Sequence, residues 1–245
     1  MNLTKEINRI SNKIKIYKED KNHIIARGVT GPERIVSLPK DLDEDLSCII
    51  GMILGDGHLT KNKGRVSFEV SDQWLSDLFT IIVEKTFSVE PSSMTIVDKR
   101  QNRRRRYRID INCAPIYWFL NKVFEIPIGK KSSIIKVPAL ILNSNNSIKN
   151  AFLIGVLLTE GGKRGRGYGL SSASKNFRDG VVNILNQTDI RCYLDEWEHK
   201  NYKKSYYGLR FGKKEIPKIM RGCRSGLTGQ ILQGFSKKFL DESQA

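Results

Sequence analysis

The 245-residue sequence predicts an α+β fold, built as a pseudo-twofold tandem αββαββα repeat with a two-helix central interface. Three observations predict it. "IIGMILGDG" at 49–57 recurs without a gap as "LIGVLLTEG" at 153–161. Each copy is followed by a strand pattern and then a capped helix pattern. Each half then offers two more strands and closes with a short helix. The chain divides into an N-terminal segment 1–43, a first half 44–125, a linker 126–147 and a second half 148–245.

In the N-terminal segment, Leu3, Ile7, Ile10 and Ile14 follow helical spacing, and "GVTGPERIVSLPKD" reads as turn and extended chain. In the first motif helix, 46–55, the small residues Gly51 and Gly55 stand four apart. In the second, 150–159, the matching pair is Gly155 and Thr159. Small residues at this spacing let two helices approach backbone to backbone. Packed side by side in parallel, these helices bring Asp56 and Glu160 together at their C-terminal ends. The glycine after each acid permits a left-handed cap and close approach of a ligand backbone.

Beyond the first motif, Val66, Phe68 and Val70 alternate as a strand, and Ser71 or Asp72 caps a helix to about Phe87. The strands "SSMTIVDK" and "RRRRYRIDIN" follow, then a helix at 114–124. Beyond the second motif come a Gly-broken strand near 166–173, Ser174 as a cap, and a helix to about Gln187. "IRCYLDEWEH" and "KSYYGLRFG" supply the next strands, and 213–221 the last helix. The second strand of each first pair is weak in sequence. The linker holds two of the seven prolines.

The formal charge is +16, with a pI near 9.7. Such a surplus suggests a polyanionic partner, most often nucleic acid. No apolar run approaches the roughly 20 residues that cross a bilayer, and the N-terminus lacks the core of a signal peptide. Cys48, Cys113, Cys192 and Cys223 are isolated and read as reduced thiols of an intracellular, cytoplasmic protein. His23, His58 and His199 are scattered. Two carboxylates at two negative helix ends repel each other, and the arrangement makes sense when cations share the site.

The paired motifs resemble those of the LAGLIDADG homing endonucleases, in the single-chain, two-motif form of archaeal and organellar introns. The likeness covers about 44–221. It implies two saddle-shaped antiparallel sheets over double-stranded DNA with a long target site. It implies metal-dependent hydrolysis of both strands across the minor groove, leaving 3′ overhangs, by a monomer with an internal pseudo-dimer. Mg²⁺ is the implied cofactor, with Mn²⁺ as substitute and Ca²⁺ binding without cleavage. The motif acids map onto Asp56 and Glu160, with Gly55 and Thr159 beside them as further metal contacts. Lys163, three residues after Glu160, is the first candidate to order the attacking water, and Gln73 and Lys175 are weaker ones.

Strand parity then nominates the DNA-facing side chains. They are Arg65, Ser67, Glu69, Arg104, Arg106, Arg108 and Asp110 in the first half. In the second they are Arg166, Arg191, Tyr193, Asp195, Tyr206 and Arg210. Lys61, Lys63, Lys203 and Lys204, near strand ends, are placed on phosphates. Trp197 shares the DNA-face parity, whereas Trp74 and Trp118 read as packing. The N-terminal segment either packs on the core or contacts DNA. The rival to a nuclease is an intron RNA maturase, with or without cleavage. A nuclease-dead transcription factor would need an added domain, and an intein is disfavoured by Met1 and the ending "DESQA".

Overall fold

The computed structural model describes residues 1–29, 34–61, 64–97, 105–199, 203–223 and 227–240. The N-terminal segment forms helix α1 (Thr4–Asn8) and an antiparallel sheet of β1 (Ile14–Glu19), β2 (His23–Gly28) and β3 (Val36–Pro39). The predicted helical run therefore stops early, because Ile14 turns inward from a strand rather than from a fourth helical turn. The segment packs through Ile7, Ile24, Ala26 and Leu38, all fully buried.

The first half comprises α2 (Glu44–Gly55), β4 (Gly57–Thr60), β5 (Arg65–Val70), α3 (Gln73–Phe87), β6 (Ser92–Ile96), β7 (Arg106–Asn112) and α4 (Ala114–Val123). After the one-turn helix α5 (Ala139–Leu142), the second half repeats the order. It runs α6 (Asn146–Glu160), β8 (Gly162–Arg164), β9 (Gly167–Ser172), α7 (Lys175–Gln187), β10 (Tyr193–His199), β11 (Lys204–Gly212) and α8 (Ile216–Arg221). A further helix, α9 (Gly229–Phe239), follows.

The two large sheets have corresponding strand orders, β4-β5-β7-β6 and β8-β9-β11-β10, antiparallel throughout. The weak strand of each first pair turns out to be its first member. At four and three residues, β4 and β8 are too short to show an alternation.

Helices α2 and α6 form the centre. Both are buried along nearly their whole length, as helices apolar all round must be. Asp43 accepts from the Leu46 amide (2.8 Å) and Asn145 from the Ile148 amide (3.0 Å), so each starts at a true side-chain cap. Ser174 caps α7 as expected and also donates to the Ile135 carbonyl (2.5 Å). Helices α3 and α7 back the sheets. Phe68 of β5 stacks on Phe79 of α3 at 4.1 Å.

Candidate active site

The two motif helices touch through bare backbone. A Cβ on Gly51 would stand 2.4 Å from the Phe152 carbonyl oxygen, and one on Gly155 only 2.1 Å from that of Cys48. Neither position tolerates a side chain without parting the helices. At the N-terminal end Ser47 Oγ donates to the Ile148 carbonyl (2.8 Å) and Ser147 Oγ to Glu44 (2.5 Å), which fixes the parallel register. At the C-terminal end a Cβ on Gly55 would lie 2.0 Å from Thr159 Oγ1 and 3.3 Å from Glu160 Cγ. Glu160 thus sits directly beside the Gly55–Asp56 corner.

The left-handed caps that these glycines permit are absent. Asp56 ends α2 with φ −92° and Gly161 ends α6 with φ −81°. Neither Gly57 nor Gly161 has a positive φ. Both glycines answer to crowding instead. A Cβ at Gly57 would meet Ile53 Cα at 2.7 Å, and one at Gly161 the Leu157 carbonyl at 2.4 Å. Each chain therefore doubles back over its own helix end and starts a strand at once.

Both acid side chains reach solvent, although much of what surrounds them is protein. Burial raises the Asp56 carboxyl above its ordinary range, Lys131 and Lys238 oppose the rise, and Asp72 and Glu69 add to it. Burial and then Asp56 raise Glu160, again against Lys131 and Lys238. The two carboxylates thus share one strained electrostatic locality.

The two lysines were invisible to motif reading. Lys131 Nζ, from the linker, donates to the carbonyls of Ile53 (3.0 Å), Leu54 and Gly55 (2.5 Å). Lys238 Nζ, from α9, donates to Leu157 (3.1 Å) and Leu158 (2.6 Å). Each caps one motif helix, so even this feature obeys the pseudo-twofold. Burial lowers Lys131 to about 8 despite Glu160 and Asp56, and it lowers Lys238 as well. A signal did exist in the sequence. Neither motif helix has a basic residue in its last turn, so its free carbonyls needed an outside donor.

The other nominated residues of the site are exposed or turned to backbone. Lys163 is exposed on β8, on the opposite strand face from Arg164. Gln73 and Lys175 are the exposed first residues of α3 and α7, in equivalent places. Thr159 Oγ1 turns back to the carbonyls of Gly155 (3.1 Å) and Val156 (3.0 Å). Among the described residues no group of three or more His, Cys, Asp or Glu gathers as a metal site. A cation here would rely on two carboxylates, backbone carbonyls, water and a ligand's oxygens. That set suits a hard divalent ion, and the Lys131 ammonium against the Gly55 carbonyl shows that positive charge is held at this corner.

On the outer face of the first sheet the charges are spent on each other. Ser67 Oγ donates to Asp110 Oδ1 (2.5 Å), as does Arg108 Nε (2.9 Å). Arg65 approaches Asp110 Oδ2 at 3.4 Å, and Arg106 pairs with Glu69 at 2.5 Å. Ser67 and Asp110 are buried beneath this layer. They hold arginines in place rather than presenting free edges. Burial alone would raise the Asp110 carboxyl, but Ser67, Arg108 and Arg65 hold it below its ordinary range. His58 lies beside the network, and burial together with Arg108, Lys131 and Arg65 lowers its pKa.

On the second sheet Arg166, Arg191, Tyr193, Lys203 and Arg210 are exposed, and Asp195, Lys204 and Tyr206 half-buried. Lys61 is exposed at the end of β4, whereas Lys63 and Arg104 lie outside the described residues.

A family model described as LAGLIDADG-like domain matches residues 147–221, from the start of α6 to the end of α8. Residues 147–221 thus form a LAGLIDADG-like domain. The first half of the chain repeats the matched unit element by element. The chain is also 27% identical over 203 residues to the replication factor C small subunit of Methanocaldococcus jannaschii. That stretch is 83% of this chain and 10% of the relative, so the chain spans about a tenth of that protein's length.

Among solved structures, I-WcaI bound to its DNA recognition sequence matches with a TM-score of 0.55 at 17% identity, over 80% of this chain and 86% of that one. I-DmoI in complex with DNA and Ca gives 0.54 at 17%, over 77% and 92%. Full-length DUF199/WhiA from Thermatoga maritima gives 0.52 at 13%, over 79% and 58%. At these identities the likeness is one of fold. Among the described residues no helix is long and apolar enough to cross a membrane.

Proposed function

We propose that this chain is a homing endonuclease of the LAGLIDADG type, a site-specific double-strand DNA endonuclease that hydrolyses both strands across the minor groove and leaves 3′ overhangs. One observation carries the reading. Backbone contact at Gly51 and Gly155 delivers Asp56 and Glu160 to one solvent-reached corner, flanked by two sheets with arginine-bearing outer faces. The homing endonucleases of the same fold were solved with DNA, which supports the substrate class.

Asp56 and Glu160 are the residues that would hold divalent metal, with the Thr159 carbonyl as a further oxygen donor; the Gly55 carbonyl, which accepts from Lys131, would join them only by sharing that oxygen with the ammonium. Bound there, Mg²⁺ or Mn²⁺ would polarise the scissile phosphate, acidify the attacking water and stabilise the leaving 3′-oxygen. The raised carboxyl pKa values fit this role, because burial disfavours the charged acids, Lys131 and Lys238 compensate them only in part, and an added cation would complete the balance. Lys131 and Lys238 keep the helix ends closed and lend positive charge where phosphates would approach. Lys163, Gln73 and Lys175 are the candidates to order the attacking water, and their exposure supports that role.

The test is a cleavage assay on duplexes selected by the protein from a randomised pool, with Mg²⁺. Wild type should cut both strands. Asp56→Asn and Glu160→Gln should cut neither yet bind the same duplexes. Double-strand cleavage by either variant would remove the mechanism.

A further inference from the structure

The two sheets carry unequal electrostatics on their outer faces. In the first half, Arg65 and Arg108 direct donors at Asp110, and Arg106 pairs with Glu69. In the second half, two arginines are braced by aromatic rings instead. The Arg164 guanidinium lies 5.6 Å from the Trp197 ring centre, and its Nη2 donates to Ser171 Oγ at 2.6 Å. The Arg210 guanidinium lies 5.8 Å from the Tyr193 ring, and Asp195 approaches its Nε at 3.7 Å.

The support has its own support. Trp197 stacks on Tyr206 at 5.9 Å with the planes 15° apart. It leans over Gly208, where a Cβ would meet its ring at 2.8 Å. Arg164, Arg210, Tyr193 and the exposed Arg166 border one open depression of about 250 Å³.

A guanidinium already held within cation–π distance of a ring and by a second polar contact loses less freedom when its forked edge meets a ligand. Phosphates need charge alone, and flexible lysines at strand ends supply it. A planar fork supported in this way on an antiparallel sheet matches the O6 and N7 acceptors of guanine in the major groove. We propose that Arg164 and Arg210 are specificity-determining residues that each read a guanine, so that base selectivity is concentrated in the half-site under the second sheet. The assignment rests on the DNA-targeting reading above.

The test is selection from a randomised duplex pool by the full chain with Ca²⁺, for wild type, R164K, R210K, R164Q and R210Q. All should keep the wild-type melting temperature within a few degrees. Wild type should enrich guanine at two positions of one half-site. R164K and R210K, which keep the charge but lose the fork, should each lose about tenfold or more of that preference at one position.

Unchanged preferences in the lysine variants would overturn the proposal. So would a loss in the glutamine variants that is uniform over all sequences and lowers the salt slope by about one, the mark of a phosphate contact. A wild-type chain that selects no duplex at all would instead remove the DNA-targeting reading itself.

Discussion

Replacing Gly155 with alanine tests how far the site depends on the helix contact. The new Cβ would stand 2.1 Å from the Cys48 carbonyl oxygen and 3.0 Å from the Met52 amide nitrogen. Both atoms are backbone, so no rotamer change relieves the clash. Ordinary contact begins at 3.4 Å, and the helices must part by about 1.3 Å in a core that does not deform continuously. Overpacking of this kind costs about 1–3 kcal/mol, offset by up to about 1 kcal/mol of improved helix propensity. For a chain of this size each lost kcal/mol lowers the melting temperature by about 2–4 °C.

The larger effect should be on chemistry. Displacing Glu160 from Asp56 by about 1 Å should slow cleavage about a hundredfold. Thermal unfolding and a two-strand cleavage assay give both numbers. Gly229→Ala is the control, since a Cβ there meets nothing within 4 Å. A Gly155→Ala protein that melts with wild type and cleaves within twofold of it would refute the reasoning.

Three further outcomes follow from the same geometry. Because burial raises both acids in the fold, stability is lost as pH rises through their folded values, and at pH 7 their charges oppose folding. Asp56→Asn or Glu160→Gln should therefore raise the melting temperature at pH 7 while abolishing cleavage, and a lower one would contradict the sign. Lys131, lowered to about 8, binds fewer protons folded than unfolded between about pH 8 and 10.5. Wild type should gain stability relative to Lys131→Met across that window in paired urea titrations, and parallel curves would refute it. Asp110→Asn should cost about 2 kcal/mol above pH 5, by leaving Arg65 and Arg108 without their counter-charge and Ser67 with a weaker, neutral acceptor. Because the Asp110 pKa is depressed, the difference should shrink as pH falls toward 3, which acid unfolding would show.

Much of the fold was legible because the motif occurs twice. A nine-residue pattern that repeats in register fixes two helices, two acids and the small-residue seam at once. The following strand and helix order then only had to agree with itself. What escaped the sequence escaped for physical reasons. Strand parity placed Ser67 and Asp110 on the outer face, but parity does not say whether charges on a face pair with one another, and here they do. Lys131 and Lys238 act from the linker and from α9, far in sequence from the carbonyls they cap. The helix α9 carries Ile231, Phe235 and Phe239, four residues apart and buried, but it has no counterpart in the repeat that organises the rest of the chain. In the N-terminal segment Ile14 kept helical spacing from Ile10, yet it is the first inward residue of a strand.

The most direct measurement is anomalous diffraction from crystals of the protein grown with a selected duplex and Mn²⁺. The account predicts manganese density within coordination distance of both Asp56 and Glu160, and its loss in Glu160→Gln crystals. Manganese bound elsewhere on the DNA complex, with neither carboxylate as a ligand, would contradict it.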